Sequence, residues 1–430
     1  MHVLTGQTLS FTGDPGLRSD SYVHHEKGAV VIGDDGKILW VGELGSLPQE
    51  YHEVERTDHG DSLILPGFVD AHLHFPQYRM IAAYGENLLD WLERYTFPEE
   101  MRYGDPKFAK RAAKLFIDEL FNHGITSCLA FSTVHPEALD ALFEEAQSRS
   151  MAMISGKSKM DCNAPSGLTD TPQSGYDQSR ELINKWHGVD RLQYAITPRF
   201  AVTSSEPQLE MTGALKREYP DMVFQTHLSE NKAEIEAVGT AFPWSQDYTD
   251  VYDRYGLLSE RAFFAHGIHL SERELLRLSE AGASIVHCPT SNNFLGSGLF
   301  QYKQTRFGDQ PVSVGIGCDI GGGTSFSMLA TLRDAYVVSQ LVGKRITAFE
   351  AFYLATLGNA SLLHLDHEIG TLEAGKVADI VVLDPKATPI MAERHALSES
   401  LHDILFALMI MGDDRAVRQV WVNGKLVKDI

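Results

Sequence analysis

Residues 68–77, FVDAHLHFPQ, end an apolar run with two histidines one residue apart. Read as a β-strand, the side-chain period of two puts His72 and His74 on one face and Leu73 and Phe75 on the other. Two imidazoles on one face suit a shared metal ion, whereas single histidines are often hydrogen-bonded core residues, and the stretch alone leaves both readings open. The rest of the chain decides. Counting GFVDAHLH (67–74) as the first, eight strand-like runs follow one another: TSCLAF (126–131), MAMISGKSKM (151–160), LQYAITPRF (192–200), VFQTHLSE (223–230), AFFAHGIHL (262–270), SIVHCPTSN (284–292) and VSVGIGCDI (312–320). Amphipathic stretches separate them, among them DPKFAKRAAKLFIDELFNHG (105–124), HPEALDALFEEAQSRS (135–150) and SERELLRLSEAG (271–282), with apolar residues near i, i+3, i+4 and Gly124 as a helix-ending residue. Eight β–α alternations in roughly 300 residues favour a closed (β/α)8 TIM-like barrel over an open parallel sheet.

The two ends read differently. AVVIGDDGKILWVGEL near the start carries Asp-Gly turn chemistry between apolar segments, and KVADIVVLDP and AVRQVWVNGKLV near the end are similar, with Asn423-Gly424 as a second hairpin turn. These segments predict a small β-sandwich-like domain built from both termini: residues 1–65 and 366–430 around a barrel spanning 66–365.

The composition narrows the function classes. At 430 residues and 43% hydrophobic content the chain is long enough for the barrel and a satellite unit. A net charge of −21 without any Lys/Arg-rich run argues against nucleic acid and anionic membranes as partners. Runs such as FALMIM are too short to span a bilayer, and no secretory signal opens the sequence, so a cytoplasmic enzyme is the expectation. Cys128, Cys162, Cys288 and Cys318 form no CxxC pair and are expected as free thiols.

In a parallel barrel, residues at the C-terminal strand ends converge on one site. His72 and His74 close the first run, His227 the fifth, His266 the sixth and Asp319 the eighth, each after an apolar segment where an unpartnered polar group is costly. Three imidazoles and a carboxylate suit Zn²⁺ or Fe²⁺. GIGCDIGGG does not fit a dinucleotide-binding glycine pattern, and its glycines are expected to let backbone approach a substrate. Asp70 is expected on the same face as the two histidines as a structural hydrogen-bonding residue, and His287 and Cys288 as pocket-lining residues rather than ligands. Asn359 heads a glycosylation-type NAS pattern that means nothing without secretion.

The motifs LPGFVDAHLH, THLSE, AHG, HCPTSN, GIGCDIGGGTSFSM and LEAGKVADIVVLD together resemble the amidohydrolase superfamily over nearly the whole chain. HLHFPQ, YGENLLDWLERYTFPEE, MDCNAP and ITPRF resemble, within it, the members that deaminate guanine. Two positions depart from those enzymes: Cys162 stands where Arg is more usual and Val202 where Pro is. The resemblance implies that His72, His74, His227 and Asp319 bind one divalent metal, zinc before iron, while His266 hydrogen-bonds its water or ligand shell. It implies one ion rather than two, because binuclear relatives carry a carboxylated lysine where this chain has ITPRF. It also implies a metal-activated hydroxide attacking C2 of guanine, with Glu230 and Asp319 carrying protons to N3 and the leaving amino group. Gln77, Arg199 and Phe200 would join His227, Glu230 and Asp319 in holding the base. Arg199 is a donor-only fork suited to O6 and N7, and Gln77 donates and accepts as O6 and N1–H require. Related enzymes are usually homodimers. The rival expectations are a barrel acting on another aminated or halogenated heterocycle, such as a triazine or pterin, and a non-catalytic relative, which would have lost ligands that this chain retains.

Overall fold

The computed structural model describes residues 1–85 and 88–430; residues 86 and 87 of the YGENLLDWLERYTFPEE stretch lie outside it. Sixteen strands are assigned among the described residues. Four open the chain: β1 (His2–Phe11), β2 (Tyr22–Ile32), β3 (Ile38–Glu43) and β4 (Arg56–Pro66). Nine follow in the middle: β5 (Phe68–His74), β6 (Ile125–Phe131), β7 (Ala152–Gly156), β8 (Ser158–Lys159), β9 (Leu192–Pro198), β10 (Val223–Leu228), β11 (Ala262–His266), β12 (Ser284–His287) and β13 (Ser313–Ile316). Three close it: β14 (Ile380–Leu383), β15 (Val417–Val422) and β16 (Lys425–Asp429).

The middle strands pair in the order β13-β12-β11-β10-β9-β7-β6-β5, eight parallel strands in sequence order, with β8 attached to β9. All eight expected runs supply one barrel strand each. The third is split: MAMISGKSKM breaks at Lys157 into β7 and β8. Gly156 lies so close to the neighbouring strand that a Cβ there would stand 1.7 Å from the Ala195 carbonyl oxygen, so no other residue fits where the backbones converge.

The helices between strands begin as their sequences predict. Asp105 caps the helix Pro106–Asn122 by accepting from the Lys107 N–H, and Gly124 ends it with φ +80°. Ser271 and Glu274 form a capping box at the helix Glu272–Glu280. Inside the barrel, Val69, Ala71, Leu129, Ile154, Ala195 and Val223 belong to one apolar cluster, while Leu73, Phe75 and the inward faces of the helices belong to the larger outer one.

Strand β5 is not regular. Its register against β6 slips between Asp70 and Leu73, a bulge that inserts one extra residue. That slip lets the pair Val69 and Ala71 and the pair His72 and His74 face the same side; in a regular strand the two pairs would lie on opposite faces. The expectation that Asp70 shares the histidines' face by simple alternation is therefore corrected, although its structural role stands. Asp70 Oδ1 accepts the His72 N–H at 3.1 Å, and the Cys318 N–H stands 3.2 Å from both of its oxygens. Asn359 completes the closure between first and last strands. Its Nδ2 donates to the carbonyls of Val69 and Ile316, both at 2.7 Å, and its Oδ1 accepts from Ile316 N–H at 3.0 Å. The NAS pattern thus marks a fully buried staple.

The terminal strands form one continuous seven-stranded sheet, β16-β15-β14-β4-β1-β2-β3, in which β14 from the far end pairs with β4 from the near end. Leu4, Val30, Ile38, Ile64, Val382 and Trp421 gather on it in a single apolar cluster, so the sandwich-like core is enclosed by one sheet. Asn423 and Gly424, at φ +49° and +72°, make the turn between β15 and β16.

Candidate active site

Every candidate ligand stands at the C-terminal end of a barrel strand. His72 and His74 end β5, His227 lies in β10, His266 ends β11 and Asp319 follows β13. His266 and Asp319 leave their strands with φ +73° and +51°, a left-handed conformation that costs a non-glycine residue energy and recurs at functional sites. Sequence distance vanishes here: His72 Nε2 lies 3.2 Å and His74 Nε2 3.3 Å from Asp319 Oδ1, and His74 Nε2 is 3.1 Å from His227 Nε2.

The protonation pattern follows from the neighbours. His227 Nδ1 is 2.7 Å from the Arg199 carbonyl oxygen, which only accepts, so Nδ1 carries the hydrogen and Nε2 presents a lone pair. Burial, reinforced by the rings of His72, His74 and His266, holds His227 well below the usual imidazole range. Burial likewise lowers His74 to about 3, despite Asp319. Asp319 is held well below the carboxylate range: burial opposes ionisation, but His72 and His74 outweigh it. His72 Nε2 is buried and makes no hydrogen bond. Neutral His74 and His227, their Nε2 atoms facing one another and that of His74 facing the ionised Asp319, repel unless a cation lies among them, so the donor set fits a divalent metal. His72, His74 and His227 offer ligand atoms all within 4.8 Å of one another.

Further titratable side chains stand around this group. Glu230 Oε2 is 3.4 Å from His266 Nε2, which is also 3.7 Å from Asp319 Oδ2. Burial, with the charge of Asp319 behind it, raises Glu230 to about 8, and Ser297 donates to its Oε1 at 3.1 Å. His266 Nδ1 is held 2.8 Å from Asn292 Oδ1. The cavity is lined by His74, Gln77, Arg199, Phe200, His227, Glu230, His266 and Asp319, with Leu88, Trp91 and Leu92 among its apolar walls. All the residues expected to hold a substrate therefore share one pocket.

Several residues were not anticipated. Cys288, expected only to line the pocket, offers its sulfur within 4.8 Å of ligand atoms of His72, His266 and Asp319. Burial and the carboxylates of Asp319, Asp70 and Glu230 keep it a protonated thiol. His287 is buried and stacks on Phe300 at 4.6 Å, filling space. Asn292, Ser297 and Glu100 had no assigned role, although Asn292 ends SIVHCPTSN and Glu100 ends YGENLLDWLERYTFPEE. The two unusual positions prove to be neighbours, Cys162 Sγ lying 3.7 Å from the Val202 carbonyl oxygen.

A parallel barrel with this arrangement at its C-terminal rim defines a class of hydrolases, and the sequence agrees: the amidohydrolase family model matches residues 63–427, and the chain belongs to that family. Within it the chain is similar to the guanine deaminase of Escherichia coli (strain K12), 50% identical over 403 residues, 94% of this chain and 91% of that one. The solved structure of the E. coli guanine deaminase superposes with a TM-score of 0.95 at 47% identity, covering both chains fully. A guanine deaminase from C. acetobutylicum, solved with guanine bound in its active site, superposes with a TM-score of 0.88 at 30% identity over 99% of each chain.

Proposed function

We propose that this protein hydrolyses guanine to xanthine and ammonia. The observation that carries this reading is the union, in one buried pocket, of a four-residue donor set (His72, His74, His227, Asp319), a protonated carboxyl at Glu230 and two purine-edge partners, Gln77 and Arg199. The similarity to guanine deaminases supports the choice of base. His72, His74, His227 and Asp319 would hold one divalent cation, zinc or ferrous iron, both of which accept nitrogen and oxygen donors. When bound, the cation supplies the acidity that brings water's pKa from near 16 to about 7 and makes it a nucleophile at neutral pH.

The chain's own residues handle the rest. As oxygen bonds to C2, negative charge moves to N3, and Glu230, kept protonated by its burial, delivers a proton there. Asp319 and His266 stand within reach of one another to take the water's proton, and Glu230, recharged, passes it to the amino group as the C2–N bond breaks. One of water's hydrogens leaves on ammonia; the other, lost from the C2 hydroxyl as it becomes a carbonyl, restores to Glu230 the proton given to N3, so the balance closes. Arg199 offers donors to O6 and N7, and Gln77 a donor and an acceptor to O6 and N1–H, an edge adenine lacks. Phe200 closes the pocket wall beside His227, its ring 6.3 Å away.

The test follows ultraviolet conversion of guanine to xanthine alongside elemental analysis of the same preparation. Turnover with one zinc or iron per chain is expected; turnover of a triazine or pterin but not of guanine sinks the reading. The expectations of a homodimer and of a cytoplasmic location rest on kinship. Among the described residues no helix is long and apolar enough to cross a membrane, and light scattering at a single chain mass would refute the dimer.

A further inference from the structure

Glu100 carries no role in the mechanism above, yet it ends the short helix Phe97–Glu100 with a fully buried side chain behind the pocket-lining Gln77 and Arg199. Its carboxylate accepts from Arg199 Nη1 at 2.7 Å on Oε1 and 3.0 Å on Oε2, and from Gln77 Nε2 at 2.8 Å on Oε1. Gln77 Oε1 in turn accepts from the Gly321 N–H at 3.3 Å. Gln77 and Arg199 are themselves 1% and 3% exposed, so neither has bulk water to replace these partners. The carboxylate accepts only and the Gly321 N–H donates only. Flipping the Gln77 amide would set oxygen against carboxylate and NH₂ against N–H, losing both bonds.

We infer that Glu100 is the positioning residue for base selection: it fixes which end of the Gln77 amide donates and which accepts, and commits one arm of Arg199. This rests on the guanine reading. With Glu100 in place, Gln77 shows the pocket one N–H and one oxygen lone pair in a set order, and Arg199 shows only its remaining N–H groups. A purine with an acceptor at C6 beside a donor at N1 matches that order. Without the carboxylate the amide is oriented only by the longer bond from the Gly321 N–H, and the buried guanidinium loses its counter-charge.

The experiment compares guanine with 2-aminopurine, which keeps the reacting C2 amino group but has neither O6 nor N1–H, by ammonia release from wild type, E100Q and E100D. In E100Q the ratio of kcat/KM for guanine over that for 2-aminopurine should fall about tenfold or more, as loss of a hydrogen bond to a charged group predicts, with the change in guanine KM rather than in metal content. E100D keeps the charge but withdraws it by one methylene and should move the ratio the same way by less. Equal losses on both substrates in E100Q, or a ratio unchanged in E100D, overturn the inference while wild-type turnover of guanine still upholds the functional reading. Wild-type protein inert to guanine overturns both.

Discussion

The molecule buries histidines in two places, and they behave oppositely. At the barrel rim, His72, His74, His227 and His266 gather with Asp319 and Glu230 within hydrogen-bonding range of one another. In the terminal sheet, His59 on β4 is equally hidden, 3% exposed, but neither of its ring nitrogens has a hydrogen-bond partner. Burial alone therefore does not mark a ligand. Convergence does: strand ends supply several polar groups to one point, whereas β4 in the terminal sheet leaves the His59 ring without a hydrogen-bond partner.

The contrast breaks most visibly if the rim is taken apart. Asn at position 319 (D319N) should leave less than stoichiometric metal and no measurable ammonia release, while circular dichroism stays that of the wild type; chelation of the wild type should do the same and reverse on adding zinc or ferrous iron. E230Q retains metal but loses the transferable proton, and kcat should fall about 10²–10⁴-fold. N292A frees the His266 ring and should cost roughly 10–100-fold in activity, with thermal stability barely moved. In the terminal sheet the effects fall on stability alone: I380V, in its apolar cluster, should cost about 0.5–1.5 kcal/mol with kcat/KM unchanged.

The terminal sheet also carries a pH dependence, at His59. Burial, helped by Arg418, lowers it from 6.5 to about 4, so the folded state keeps the ring neutral while the unfolded chain takes up a proton between those values. Unfolded protein binds more protons there, and stability is complete above about pH 6.5 and falls as pH drops towards 4. H59L should flatten that part of the profile in denaturant titrations. A profile unchanged by the substitution would mean that His59 titrates normally.

Much of this was legible because local chemistry and global role coincide. Each barrel strand announces itself as an apolar run ending in a polar residue, and the terminal hairpins through Asp-Gly and Asn-Gly turns. What stayed hidden depends on partners far along the chain. Glu100 ends the quoted YGENLLDWLERYTFPEE motif without a role of its own, and its burial is explained only by Gln77 and by Arg199, 99 residues on. The bulge in β5 leaves no mark in FVDAHLH, since either register keeps the strand apolar. Asn359 matched a surface pattern while serving the interior.

That interior asparagine has a consequence for how the protein comes into being. The first proposed ligands are made at positions 72 and 74 and the last at 319, and the join that holds them abreast is sewn by residue 359. A chain emerging from the ribosome carries half a claw for most of its synthesis, and ion capture must wait until some five-sixths of the polypeptide has been translated.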